Sequence, residues 1–109
     1  MIARLWSART TPQNWPAYER HFNESVLPEL RSIAGYIGSQ LLKLDTAGEI
    51  EITVLTWWQS LEAIDAFAKP DREAAVVAPL AASVLTTYDR RVRHYEVAAF
   101  DGTIDAGTF

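Results

Sequence analysis

The sequence predicts an α+β fold: a four-stranded antiparallel sheet with helices on one face. Three observations carry that reading. Short alternating segments appear at residues 2 to 8, 36 to 44, 49 to 57 and 89 to 100, and alternation is the signature of a half-buried strand. Helical stripes separate the first from the second and the third from the fourth. The middle two are joined by "DTAG", which is hairpin chemistry.

In "IARLWSA", Ile2, Arg4 and Trp6 share one face and Ala3, Leu5 and Ser7 the other. "TTPQNW" then offers a helix start, because Thr11 ahead of Pro12, or Asn14, supplies a capping oxygen. Trp15, Tyr18, Phe22, Val26, Leu30 and Ile33 recur every three or four residues. They form one helical stripe, bent near Pro28. Gly35 reads as the stop. "YIGSQLLKL" is the second strand, and Gly48 is free to take the positive φ that returns the chain into the third, Glu49 to Trp57. Ser60 caps a short helix whose buried side is Leu61, Ile64 and Phe67. "KPD" breaks it. A further helix is expected from Asp71 to near Leu85, interrupted at Pro79, with "DRRVRHYEVAAF" as the last strand.

This order, strand–helix–strand–strand–helix–strand, is the split βαβ or ferredoxin-like βαββαβ arrangement. It covers one sheet face and leaves the other open. On the third strand Ile50, Ile52 and Val54 are the apolar set, so they meet the helices, and Trp58 joins them by parity. Trp58 with Tyr18, Phe22 and Phe67 is the candidate substrate-binding group in any pocket there. Leu55 and Trp57 point to the open face, where the sequence also places Ile2 and Trp6. Such an apolar patch marks an interface, and a two-fold copy of the chain is the expected cover. Arg4, Glu51, His94 and Glu96 are placed on the same open face as a polar cluster. There the carboxylates pair the arginine and fix dimer register, and His94 is the candidate proton acceptor. Residues 1–98 form one domain. Residues 99–109 are a tail whose Phe100, Ile104 and Phe109 are suited to lie on a neighbour.

Composition excludes several classes. With 109 residues and 49% hydrophobic content, the chain suits a single core. A net charge of −4 lacks the basic footprint of a nucleic-acid binder. The absence of cysteine removes disulfide and thiolate chemistry and suits a cytoplasmic protein. No apolar run approaches the ~20 residues that span a bilayer. "MIARLWSART" lacks the apolar core of an export signal. Gly35 and Gly38 open no phosphate loop, and two scattered histidines make no metal site. His21, at the edge of the helical stripe, reads as a solvated or capping residue.

"MIARLW", "LTWWQSLEAIDAF" and "HYEV" resemble the antibiotic-biosynthesis monooxygenase-like family over roughly residues 1 to 98. The resemblance implies ferredoxin-like subunits closed into a dimeric α/β barrel. It further implies oxygenation of a small aromatic or quinol substrate by molecular oxygen, with no metal, flavin or other cofactor. Trp58 falls at the family's pocket tryptophan. The positions of the family's asparagine and tyrosine are Val54 and Ile64, and that of the haem-degrading branch's histidine is Ala68. The alternative is therefore a non-catalytic dimeric module that binds a small aromatic ligand or serves a structural role.

Overall fold

A computed structural model of the chain describes residues 1–102. At its centre is β1 (Ile2–Thr10), antiparallel to β3 (Glu49–Trp58), which pairs in turn with β2 (Tyr36–Thr46). On the other side of β1 lie β4 (Leu85–Tyr88) and β5 (Arg93–Glu96), one beyond the other. The order β2-β3-β1-β4, with helices on one face, is the ferredoxin-like topology. Among the described residues, no helix is long and apolar enough to cross a membrane.

Local chemistry explains most boundaries. Gly48 takes φ +77° in the β2–β3 hairpin. Ser60 Oγ accepts the Ala63 N–H at 3.2 Å and starts α3 (Leu61–Asp65). Thr11 Oγ1 accepts from Asn14 N at 3.1 Å, which sets the turn before α1 (Trp15–His21). That helix continues through a π turn, Phe22–Val26, into α2 (Leu27–Arg31). The π turn lies just ahead of Pro28, whose missing N–H and bulky ring forbid the ordinary bond to the Glu24 carbonyl. Leu27 N–H reaches Phe22 O instead. Gly35 lies beyond the helix end, in the turn to β2. A Cβ there would come 2.5 Å from Ala63 Cβ, so only glycine lets α3 dock.

The last third differs from expectation. Residues 71–78 are irregular, and α4 is only Pro79–Val84. Pro79 starts this helix rather than interrupting it, since a proline holds the residue before it extended. Ala78 accordingly sits at ψ 153°. The final strand begins earlier, at Leu85, and is broken at residues 89–92. There the chain leaves β1 opposite Trp6 and bonds residues 73–75 through Ala75 N to Arg90 O and Val92 N to Glu73 O.

Face parity on β1 is also corrected. Arg4 stands opposite Thr56, Trp6 opposite Val54, and Ile2 opposite Trp58. Directly paired residues share a face, so Ile2, Arg4 and Trp6 lie on the helix side. The open face instead carries Ala3, Leu5 and Ser7 with Leu55 and Trp57. Two apolar clusters fill the helix side. One joins Ala8, Tyr18, Phe22, Ile50, Ile52 and Ala81; the other joins Leu30, Trp58, Ile64 and Ala68.

Candidate functional site

Between the sheet and α1 lies a cavity of about 60 Å³. Aromatic rings of Tyr18, Phe22, Phe67 and Trp6 line it, with Val54 and Leu30 below and residues 76–78 as an outer wall. The aromatic lining follows from the helical stripe. Tyr18 and Phe22 are four residues apart on one helix face, and the Trp6 and Tyr18 rings stack at 6.2 Å.

Three polar side chains reach this wall: Arg4, His21 and Thr56. Arg4 is 5% exposed. It donates to Arg72 O at 2.6 Å and to Ala74 O at 2.9 Å, and its Nη1 lies 2.9 Å from His94 Nε2. Its guanidinium also lies 5.7 Å from the centre of the Phe67 ring. All these partners are neutral groups, and burial lowers the arginine pKa to about 10. His21 is 9% exposed, and its Nδ1 is buried without a hydrogen-bond partner among the described residues. Burial pushes the Tyr18 phenol well above its ordinary value, so the hydroxyl stays protonated.

The expected groupings come together only in part. Tyr18, Phe22 and Phe67 line the cavity, but Trp58 does not. Trp58 is fully buried in the second cluster, edge-on to Tyr36 at 5.5 Å and 6.1 Å from Phe67. It touches the site indirectly, since its Nε1 donates to Thr56 Oγ1 at 2.8 Å.

Of the polar cluster, only Arg4 and His94 meet. Glu51 pairs across the strands with Arg9 on the opposite face, and Glu96 is exposed opposite Ile2. Arg4 therefore gets no carboxylate. His94 lies across from Arg4, on the helix side of the sheet, and does not line the cavity; it stands behind Arg4. His21, read from the sequence as a solvated or capping residue at the edge of the stripe, is instead buried in the cavity wall, and its spacing three residues from Tyr18 is the signal for it.

Since arginine only donates, His94 Nε2 accepts, and the ring is neutral. Burial first, then the Arg4 and Arg72 charges, hold its pKa below the ordinary histidine value, against a smaller opposing pull from Glu73 and Asp65. The unfolded chain takes this proton at about pH 6.5 and the folded chain only at lower pH. The stability tied to neutral His94 is thus fully present above about pH 6.5 and is lost as pH falls through the folded pKa. Melting temperature should decline as pH falls below about 6.5, and His94→Gln should flatten that decline. An unchanged profile in the variant would exclude His94 as its source. Asp65 and Asp71, held low first by their hydrogen bonds from Arg72 and Arg91, act only below about pH 4.

Comparison with known proteins adds the family. The model described as antibiotic biosynthesis monooxygenase matches residues 1–82. A putative antibiotic biosynthesis monooxygenase from Bacillus cereus superposes with TM-score 0.65 at 16% identity, covering 96% of this chain and 98% of that one. A single-substitution variant of MhuD, with two manganese protoporphyrin IX bound per active site, gives TM-score 0.68 at 23% identity, covering 94% and 100%. Rv0793 from Mycobacterium tuberculosis gives TM-score 0.54 at 18% identity, covering 93% and 96%. Among curated proteins, none matches the chain. Likeness at such identities establishes the fold and leaves chemistry to the residues.

Proposed function

Because the chain belongs to the antibiotic biosynthesis monooxygenase family, we propose that its cavity binds a small phenol or quinol and oxygenates it with molecular oxygen, using no metal or flavin. The observation that carries this reading is the aromatic-lined cavity itself, in whose mostly apolar wall His21 is the one imidazole. In such a place the imidazole takes the phenolic proton. The resulting anion gives electrons to oxygen. One oxygen atom enters the ring as a carbonyl and the other leaves as water, so the substrate supplies all four electrons. Tyr18, Phe22 and Phe67 hold the ring and exclude water. Trp58 is a positioning residue acting through Thr56, and His94 acts only through Arg4.

The volume sets the size of the substrate. About 60 Å³ is below the ~150 Å³ of a cavity that takes up benzene. One ring therefore enters only as the wall at residues 76–78 yields. A porphyrin does not fit, and Ala68, at the haem branch's histidine position, is buried in the core. No step runs through haem.

A non-catalytic binding module is the second reading. Val54 favours it, since it lines the cavity where the resemblance expects an asparagine. Oxygen uptake separates the two. Single-ring hydroquinones should be consumed faster than in buffer, and His21→Phe should lower the enzymatic rate by about 100-fold or more. Binding without uptake would favour the module. Neither binding nor uptake would refute both.

A further inference from the structure

Arg4 asks for something the chain does not provide. A buried cation is ordinarily paired. The ion pairs of the described residues join Arg9, Lys43, Arg72 and Arg91 to carboxylates and leave Arg4 out. The acidic residues are not scarce, at 14 in a chain of net charge −4, yet none lines the cavity. Arg4 is the one permanently charged group among the lining residues.

Its donors are also only partly used. Both Nη1 hydrogens go to Arg72 O and His94 Nε2, and one Nη2 hydrogen goes to Ala74 O. Nε–H and the second Nη2–H have no partner among the described residues. Arg72 grips the Asp65 carboxylate with this same pair of nitrogens, at 2.8 and 2.7 Å. Two N–H groups side by side match the two oxygens of a carboxylate.

We infer that the cavity's ligand is a small aromatic monocarboxylate, whose carboxylate takes the free edge of Arg4 while the ring lies among Tyr18, Phe22 and Phe67. His21 then has a ring hydroxyl to meet. This deepens the reading of the cavity as a substrate site and rests on it. The charge is fixed before any proton moves, so it is recognised in binding and not only during reaction.

The test is calorimetric titration of the full chain, at mildly alkaline pH, with 4-hydroxybenzoate and its neutral isostere 4-hydroxybenzamide. The carboxylate should bind at least about tenfold more tightly, the value of a charge-assisted bidentate contact. Arg4→Gln should abolish that preference, weakening the carboxylate far more than the amide. Arg4→Lys should keep part of it, and decides the matter should Arg4→Gln fail to fold. Equal affinities in the native chain, or a preference that survives in Arg4→Gln, would overturn the inference and leave the ring-binding cavity standing. No binding of either compound would overturn both.

Discussion

Trp58→Ala is expected to cost about 3–5 kcal/mol of folding stability, the range for a fully buried aromatic truncated to alanine. The ring has no exposure, and it closes the cluster formed by Leu30, Ile64 and Ala68. The indole also donates to Thr56 Oγ1, so truncation removes a buried hydrogen bond as well as contacts. Urea unfolding of Trp58→Ala and Trp58→Phe measures the effect, with the phenylalanine variant losing less. A loss below about 1 kcal/mol in Trp58→Ala would mean that the ring is a yielding wall and not a core residue.

The second large effect concerns the open sheet face. The chain is expected to sediment as a homodimer at micromolar concentration, because that face carries Leu5, Leu55 and Trp57 with Leu42 and Tyr95 at 45% and 47% exposure. Burial of such side chains contributes ~1.5–3 kcal/mol each before association costs. Ile2 and Trp6, on the helix side, have no part in it. Trp57 is a poor probe, since Phe100 already covers it edge-on at 6.4 Å and it is 8% exposed; Trp57→Asp would damage the monomer itself. Leu42→Glu with Tyr95→Glu should weaken association by roughly 100-fold or more and leave the circular dichroism of the fold intact. A monomer in the unsubstituted chain at that concentration would refute the expectation. Ile104 and Phe109, expected to lie on the neighbour, fall outside the described residues.

What could be read in advance follows the range of the interactions. Ser60, Gly48 and the Tyr18–Phe22 stripe announce themselves through neighbours a few residues away. The face of β1 does not. Both of its alternating sets contain an arginine, Arg4 in one and Arg9 in the other. Only pairing with β3 across half the chain decides which is covered. The stretch at residues 71–78 reads as helix from its alanines. Its structure is set instead by pairing with residues 90–92 and by the Arg4 guanidinium on its carbonyls. Backbone acceptors carry no signal in a sequence, so the unpaired state of Arg4 was hidden behind a reasonable carboxylate partner, Glu51.

The π turn at Phe22–Val26 has a consequence for the angular phase of the helix. At about 100° per residue, a plain α-helix would set Leu30 roughly 80° away from Phe22 and roughly 120° away from Tyr18. Absorbing one surplus residue brings both offsets to about 20°. Tyr18 and Phe22 at the cavity and Leu30 over the tryptophan core thus face the same sheet, synchronised by a single residue that an ideal helix would not contain.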